Sequence, residues 1–278
     1  MTSGAGLKRL SGDTILGCFG FGSVPSSGAG RRAGLVIAVL LGAILLAAPP
    51  SDALETAVEA LLLKMDELMR GDSSEGRMTM TVKTSRYQRS VTMEMRSEGT
   101  DKSLIRVLAP PREAGVATLK VDNNIWNYLP KVDRTIKVPA SMMSASWMGS
   151  HFTNDDLVQE SRYQDDYDCV LSDESDSELW VINCVPHQDA PIVWGRVSLS
   201  MRRSDELPTE ARFFDEDGEL VRTMLYDQVR ELSGRRIPTR MRVVPADKPE
   251  EFTEMNYEEM RFDVEHPAQT FSLRSLRK

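Results

Sequence analysis

Residues 77–83 read RMTMTVK and residues 90–96 read SVTMEMR, and these two stretches show most clearly the pattern from which the fold can be inferred. In both, apolar side chains alternate with polar or charged ones. A period of two is typical of a β-strand with one buried and one solvated face. The polar residues between the stretches predict a turn near residues 86–89, so the two stretches together predict a β-hairpin.

The apolar face of this hairpin is rich in methionine. Its members are Met78, Met80, Val82, Val91, Met93 and Met95. We expect Met80 to face Met93 and Met78 to face Met95, which places four methionines in one patch. Methionine is flexible and polarisable, so the patch suits either a surface that accepts apolar ligands of different shapes or an irregularly filled core.

The same alternation predicts further strands along the rest of the chain. They are residues 104–108, 117–121, 125–129, 134–138, 166–171, 179–185, 193–201, 209–214, 220–226, 237–244 and 252–262. Short polar turns separate them and no helix recurs between them, which favours an antiparallel sheet. Three architectures remain open: a sandwich, a barrel, or a strongly curved open sheet covering a helix.

One long helix is predicted ahead of the sheet. Residues 54–70 carry apolar side chains at three-and-four spacing along a single stripe. Gly71 follows as a common C-terminal stop. One side of this helix is therefore expected to pack on the sheet.

The first 53 residues predict a removable export signal behind a long leader. Two arginines precede an apolar run from residue 34 to residue 48, which is shorter than the ~20 residues that span a bilayer. Ser51 and Ala53 are the small residues that signal peptidase needs before its cut, so we expect cleavage after Ala53. An uncleaved N-terminal anchor is the alternative. Residues 54–278 then form one domain in a bacterial periplasm.

The chain is acidic. Its formal net charge is −8, and loss of residues 1–53 removes four basic and two acidic side chains, which gives about −10. Nucleic acid and anionic membrane surfaces both attract positive patches. The net charge therefore predicts no nucleic-acid partner and makes an anionic membrane surface a poor one.

The two cysteines beyond the leader predict a disulfide. Pairing Leu171 with Ile182 on two neighbouring predicted strands places Cys169 opposite Cys184. In an oxidising periplasm a bridge closing so short a loop stabilises the fold by about 3 kcal/mol. Two buried free thiols are the alternative.

The sequence carries no motif with a catalytic mechanism, and we predict a protein that is not an enzyme. Its three histidines lie far apart and match no zinc-ligand spacing, so neither a metal nor another cofactor is expected. Thr153 and Asp156 fit a capping box of a short helix better than a metal site with His151. The acidic residues between 165 and 178 are expected to form the solvated rim of the cysteine hairpin.

A second apolar cluster falls in a stretch rich in serine and glycine, outside any strand or helix pattern. Its members are Met142, Met143, Trp147, Met148, Phe152 and Leu157. Apolar side chains in an irregular segment need a cover, so we expect residues 142–157, the lid segment, to close over the concave side of a curved sheet. A ligand would compete for the same surface.

Three motifs in the middle of the chain point to a known family. Residues 126–130 read WNYLP, residues 134–137 read RTIK, and residues 146–157 read SWMGSHFTNDDL. Together they resemble the signature of the outer-membrane lipoprotein-sorting (LolA-like) proteins, in a subgroup of uncharacterised function. The likeness runs from the predicted helix to the terminal residues 271–276, and His151 replaces an acidic residue of the pattern.

The resemblance implies a mainly β fold: a strongly curved, incompletely closed antiparallel half-barrel with an N-terminal helix and short covering helices. It also implies an apolar cavity for acyl chains and no catalytic residues. We expect Trp126 and Tyr128 to line this cavity together with the six residues of the hairpin face.

The resulting hypothesis is a periplasmic carrier or chaperone that binds lipidated cargo, either a lipoprotein or the acyl chains of a lipid, for transfer towards the outer membrane. The resemblance implies an inner-membrane transporter of the ABC or RND type and an outer-membrane acceptor as partners, and we expect a monomer. The alternative is a non-enzymatic interaction module or accessory subunit of an inner-membrane lipid export pump.

Overall fold

A computed structural model describes residues 51–159, 163–190 and 192–277. Almost all of the predicted leader and signal peptide lies outside these residues, so cleavage after Ala53 stays a prediction. Within the described ranges, no helix has both the length and the apolar character needed to cross a membrane.

The predicted helix is present as α1, Ser51–Arg70. Its apolar stripe is buried in the main core through Val58, Leu61, Leu62 and Met65. Gly71 follows with φ +65°, a conformation that glycine adopts without strain. The helix end is held by this glycine's N–H, which donates to the carbonyl of Glu67 at 2.9 Å.

Thirteen strands follow, and their bounds agree closely with the alternation pattern. They are β1 Ser73–Lys83, β2 Gln88–Glu98, β3 Lys102–Ala109, β4 Ala117–Val121, β5 Asn124–Leu129, β6 Arg134–Lys137, β7 Tyr167–Leu171, β8 Leu179–Pro186, β9 Arg196–Arg202, β10 Pro208–Phe214, β11 Leu220–Leu232, β12 Arg235–Pro245 and β13 Phe252–Phe262. Two one-turn helices lie between β6 and β7, α2 Asp156–Gln159 and α3 Tyr163–Asp166.

All thirteen strands belong to one antiparallel sheet. Its order is β6-β5-β4-β3-β2-β1-β13-β12-β11-β10-β9-β8-β7, so the first and last strands of the chain pair at its centre while β6 and β7 form its two free edges. The sheet is therefore not closed. This selects the curved open sheet from the three architectures and confirms the predicted half-barrel that covers an N-terminal helix.

Several strand boundaries differ from the prediction, among them the start of β9 and the end of β11. β9 begins at Arg196, three residues later than predicted. The preceding Gly195 lies against the backbone of Asp215, and a Cβ added to this glycine would come within 2.3 Å of the Asp215 carbonyl oxygen. β11 continues to Leu232, six residues past the predicted end. The added residues alternate poorly because cross-strand ion pairs such as Arg240 to Asp227 replace apolar packing there.

The first hairpin turns two residues earlier than predicted. The Thr84 N–H donates to the Tyr87 carbonyl at 2.8 Å, which closes a two-residue turn. Turn position fixes register in a hairpin, and here Met78 faces Met93 while Met80 faces Val91. The predicted pairing of Met80 with Met93 was wrong, although the apolar face itself was assigned correctly.

The predicted disulfide is confirmed. Cys169 and Cys184 are bonded across β7 and β8, and Leu171 pairs with Ile182 in the expected register. The bridge ties the free edge strand β7 to its only neighbour in the sheet.

Apolar packing forms on both faces of the sheet. The main cluster fills the concave face beneath α1 and extends to Trp147 and Phe152. A smaller cluster on the outer face is built around Leu104 and Leu119 and is covered by Leu276 of the C-terminal segment.

Candidate functional site

A cavity of about 150 Å³ lies between the concave face of the sheet, the end of α1, and side chains within residues 152–157 and 163–167. Its wall is mostly apolar and aromatic, with a few charged and hydroxyl groups. The wall includes Met65, Met78, Met95, Met224, Met241, Met255, Phe152, Leu157, Tyr163, Tyr167, Trp194, Phe213, Ser74, Ser97, Ser103, Asp156 and Arg222.

Six methionines from six different elements converge on the cavity. Met78 and Met95 belong to the predicted hairpin face, and four more come from α1, β11, β12 and β13. Because methionine adopts many shapes at low cost, such a wall can adjust to ligands of different outline. The methionine-rich surface expected from the sequence is present, and it is larger than the hairpin alone.

The other four residues of the hairpin face lie deeper. Met80, Val82, Val91 and Met93 are each at most 1% exposed and pack in the main core. They share this face of the sheet with Met78 and Met95 but do not line the cavity. Only two of the six predicted hairpin residues therefore line the cavity.

Trp126 and Tyr128 lie on the other face of the sheet, which corrects the predicted placement. Trp126 pairs with Leu119, and both belong to the small outer cluster with Leu276. Strand alternation explains the error, because Asn127 between them is the residue that points to the concave side. The Tyr128 hydroxyl donates to Asp133 at 3.1 Å, outside the cavity.

Residues of the lid segment pack against the concave face of the sheet. Trp147 is 1% exposed and its indole N–H donates to Thr118 Oγ1 on β4 at 3.1 Å. Phe152 is 5% exposed and lines the cavity. On the other side of the segment, the His151 N–H donates to Thr253 Oγ1 on β13 at 2.9 Å.

The remaining predicted lid residues differ in their positions. Leu157 lines the cavity, and Met148 packs partly against the main core in a left-handed conformation with φ +51°. Met143 is half-buried, whereas Met142 is 52% exposed at the start of the segment. The backbone carbonyl of Met148 accepts a hydrogen bond from Arg89.

A buried ion pair fastens the lid segment to the sheet. Both terminal nitrogens of Arg222 on β11 donate to the Asp156 carboxylate, at 2.5 and 2.7 Å. The rings of Trp194 and Phe213 stack on the guanidinium at 4.5 and 4.3 Å from their centroids. The Nε–H of Arg222 is buried without a hydrogen-bond partner among the described residues.

Two tyrosines stand beside this ion pair. Burial raises the pKa of the Tyr163 hydroxyl well above its usual value, and burial also raises that of Tyr167, with nearby Asp155 adding to the effect. Both phenols therefore stay protonated and can donate a hydrogen bond at every physiological pH. The cavity thus combines an apolar wall with neutral polar groups.

Three serines form a polar end of the cavity. Ser74, Ser97 and Ser103 face one another across β1, β2 and β3, and the Ser74 and Ser97 hydroxyls lie 2.7 Å apart. Asp66 and Arg70 from the last turn of α1 line the same region. An amphiphile could place its apolar part among the methionines and its polar part at this end.

The predicted capping box is confirmed. The Thr153 N–H donates to Asp156 Oδ2 at 2.7 Å, and the Asp156 N–H donates to Thr153 Oγ1 at 3.1 Å. Instead of contacting these residues as a metal ligand, His151 hydrogen-bonds Thr253 and lies 3.4 Å from Glu251. In the described ranges no three His, Cys, Asp or Glu side chains are grouped to hold a metal ion.

A family model described as an uncharacterised protein matches residues 99–278, which is more than half of the chain. No curated protein matches the sequence. The family match covers β3 to the C-terminus and includes the lid segment, Arg222 and the cysteine pair.

Three crystal structures share the fold. A DUF1329 family protein from Desulfovibrio piger is 21% identical with a TM-score of 0.72, over 80% of this chain and 99% of that one. A putative outer membrane lipoprotein-sorting protein domain from Vibrio parahaemolyticus is 21% identical with a TM-score of 0.66, over 81% and 98%. A LolA superfamily protein from Nitrosomonas europaea is 23% identical with a TM-score of 0.66, over 78% and 98%.

Proposed function

This chain belongs to the uncharacterised protein family whose model matches residues 99–278 and has the LolA-like fold, and we propose that it is a non-enzymatic periplasmic carrier of lipidated cargo. The observation that carries the proposal is the methionine-lined cavity under the lid segment. The disulfide between Cys169 and Cys184 supports an exported protein, since such bonds persist in oxidising compartments.

The cargo group that suits this cavity is an acyl chain. The closed cavity of about 150 Å³ is smaller than the ~300–1,000 Å³ of pockets that enclose a ligand. Loading therefore requires the lid segment to move outward and to release Phe152 and Leu157 from the wall. The apolar surface left behind on the sheet would be covered by the chain of the cargo.

The free energies of acyl-chain burial and of lid opening allow an acyl chain to replace the lid side chains on the sheet. Burying an acyl chain contributes ~0.8 kcal/mol per methylene, or roughly 8 kcal/mol for ten of them. Removing one partner of a buried ion pair such as Arg222 and Asp156 costs ~3–5 kcal/mol, and opening the lid segment costs less than this because water then hydrates both charges. A single long chain thus stabilises the open state by more than the latch stabilises the closed one, whereas a short chain does not.

The alternative, an interaction module or accessory subunit of a lipid export pump, has less support. It predicts a cavity filled by side chains, with Trp147 and Met148 turned outward. Instead, Trp147 is 1% exposed, Met148 is partly packed against the core, and side chains leave a cavity of about 150 Å³ unfilled. A carrier could still receive its cargo from such a pump or from a transporter of the ABC type.

The test is to purify the exported protein from a bacterial periplasm, confirm by mass spectrometry that it begins at Leu54, and identify extracted lipids. A fluorescent long-chain fatty acid and a synthetic triacylated peptide serve as probes of binding. Absence of co-purified lipid together with absence of binding to either probe would refute the carrier.

A matched pair of variants localises the binding. Met224→Trp places a larger side chain in the cavity wall, where Met224 is 6% exposed, and should lower the affinity for both probes by at least about tenfold. Leu63→Trp adds the same ring on the outer side of α1, where Leu63 is 57% exposed, and should leave binding unchanged. Equal binding by both variants would place the ligand outside this cavity.

A further inference from the structure

Four large apolar side chains are exposed close together in the sequence, at one free edge of the sheet. Leu129, Val132, Ile136 and Met142 are 38%, 59%, 49% and 52% exposed. The first two lie at the tip of the β5–β6 hairpin, the third lies on the edge strand β6, and the fourth opens the lid segment. We call residues 129–137 with Met142 the hairpin rim.

Basic side chains alternate with these apolar ones. Lys131, Arg134 and Lys137 are all exposed, and neither Lys131 nor Arg134 forms an ion pair with another described residue. The one carboxylate of the rim, Asp133, accepts a hydrogen bond from the Tyr128 hydroxyl. Strand register places Arg134 opposite Leu129, with Ile136 on the same face, so cation and apolar groups share one surface.

A neighbouring loop extends the basic character. The loop after β3 abuts the hairpin, since a Cβ on Gly115 would lie 3.5 Å from Pro130 Cγ. The side chain of its Arg112 is 70% exposed and lies 3.3 Å from the Glu113 carboxylate, which also pairs with Arg89 at 2.5 Å, so two cations share one carboxylate. The rim therefore carries a local positive charge on an acidic protein.

The acidic charge of the chain is concentrated elsewhere. The turn of the cysteine hairpin, at the opposite edge strand of the sheet, exposes Asp173, Glu174, Asp176 and Glu178. The net charge of −8 predicts repulsion from an anionic membrane only if charge is spread evenly. Because the charge is spread unevenly, the predicted repulsion from an anionic membrane does not apply to the hairpin rim.

We propose that the hairpin rim docks on an anionic lipid bilayer. Aliphatic side chains enter the headgroup boundary, and Lys131, Arg134 and Arg112 bind lipid phosphates. The composition favours lipid over a protein partner, because protein interfaces are enriched in aromatic residues and depleted in lysine. The exposed apolar residues here are aliphatic or methionine, and lysines stand among them.

Docking at this rim brings the start of the lid segment to the membrane. The Val138 N–H still pairs with the Ile125 carbonyl at 2.8 Å, and the chain then leaves the sheet towards Met142. The inference does not depend on the carrier function, because a protein without a ligand could use the same surface.

The experiment is co-sedimentation of the periplasmically processed protein with vesicles of phosphatidylcholine, with or without phosphatidylglycerol. Every variant must carry the same N-terminus by mass spectrometry, since a retained apolar run from residue 34 to residue 48 would bind lipid by itself. We expect binding only to the phosphatidylglycerol vesicles, weakening as salt is raised.

Two sets of substitutions test the rim separately. Lys131→Gln with Arg134→Gln should lower partitioning about fivefold per cation, or roughly 25-fold together. Val132→Glu with Ile136→Glu should abolish it. Val170→Glu with Val185→Glu, at positions 62% and 49% exposed on the opposite edge hairpin, should bind as the parent does.

Three outcomes would overturn the proposal. They are equal partitioning on vesicles with and without phosphatidylglycerol, parent-like binding by the Lys131→Gln, Arg134→Gln variant, and binding only to vesicles that carry reconstituted membrane protein. The glutamine variants alter exposed side chains, so they decide the question even if the glutamate variants do not fold. Loss of fatty-acid binding with intact vesicle binding would refute the carrier function alone.

Discussion

Arg222 and Asp156 join the sheet to the lid segment through a bidentate ion pair, with Nη2 2.5 Å from Oδ1 and Nη1 2.7 Å from Oδ2. The same guanidinium donates to the His151 carbonyl at 3.3 Å, so one side chain holds the segment at two points. The side chains are 6% and 14% exposed. Solvent therefore screens the pair weakly, and its loss leaves a buried charge without a partner.

Breaking this pair from one side should destabilise the protein strongly. We expect Asp156→Asn to lower the free energy of unfolding by ~3–5 kcal/mol, because the Arg222 guanidinium then stays buried and uncompensated. Replacing both partners, with Arg222→Met and Asp156→Leu, should cost less than Asp156→Asn alone. Urea unfolding of the three proteins measures the difference.

The same variant should loosen the lid segment before the sheet. Amide hydrogen exchange in Asp156→Asn should accelerate within residues 142–157 and change little in β12 and β13. A loss of stability near the ~0–1 kcal/mol of an exposed pair, with unchanged exchange in the lid segment, would contradict the role of this pair as a latch.

The hydrogen bond between Trp147 and Thr118 gives a second, independent attachment of the lid segment. Thr118→Val removes the acceptor of the buried indole N–H and the hydroxyl that donates to Asn127 Oδ1 at 2.7 Å. An unsatisfied buried donor costs ~1–3 kcal/mol, and we expect a loss of unfolding free energy in that range. Chemical denaturation followed by tryptophan fluorescence gives the value.

A double-mutant cycle separates this bond from packing. In the background of Trp147→Phe no indole N–H remains, so Thr118→Val should cost at least ~0.5 kcal/mol less than in the parent. Equal costs in the two backgrounds would show that the bond contributes nothing to holding the segment.

Most of the sheet could be predicted from sequence because apolar and polar residues alternate along most of its strands. Residues 252–262, for example, coincide with β13 to the residue. The register of the first hairpin could not be predicted in the same way, because it depends on which two of the polar residues between Lys83 and Gln88 form the turn. Alternation is the same for both registers, and only the backbone bond from Thr84 to Tyr87 decides between them.

Three of the six methionines that line the cavity could not be predicted from the sequence, for a different reason. Met224, Met241 and Met255 lie on predicted strands. They come beside Met78 because β1 pairs with β13, and these two strands lie at opposite ends of the domain sequence. No local pattern encodes that contact. Trp126 and Tyr128 were assigned to the cavity by resemblance, whereas their alternation with Asn127 left their face undetermined.

Arg222 did leave a signal. Residues 220–226 read LVRTMLY, and the alternation places Arg222 on the same face of the strand as Met224 and Tyr226, both of which line the cavity. A charged residue at an inward position of an alternating strand indicates a buried partner. Nothing in the sequence alone, however, identifies Asp156 as that partner, 66 residues earlier.

The disulfide should stabilise the edge of the sheet beside the cavity. It closes a loop of 15 residues, for which the chain-entropy estimate gives about 3 kcal/mol. Cys169→Ala with Cys184→Ala should lower the unfolding free energy by about that amount, and a reductant should have no further effect on the variant. A reductant that leaves the melting temperature of the parent unchanged would contradict this expectation.

The carboxylate of Glu251, which lies beside His151 of the lid segment, should make stability depend on pH. The Ser85 backbone N–H donates to Glu251 Oε1 at 2.8 Å and is the main reason that the pKa of this carboxyl lies below its ordinary value of 4.5; His151 Nε2, 3.4 Å from Oε2, lowers it further. A carboxyl with a lowered pKa in the folded state stabilises the protein above its unfolded pKa. That contribution is lost as the pH falls through the lowered folded value.

Glu251→Gln removes the titrating group and keeps an oxygen that can accept the Ser85 N–H. We therefore expect the parent to be more stable than Glu251→Gln at neutral pH, and the difference to shrink as the pH falls below about 4.5. Urea unfolding of both proteins from about pH 7 to about pH 3 gives the two curves. Glu250→Gln, at the exposed neighbouring position, is the control and should run parallel to the parent. A constant gap between parent and Glu251→Gln over the whole range would show that the carboxylate at Glu251 is not favoured by folding, and that the attachment of His151 to β13 rests on Thr253 alone.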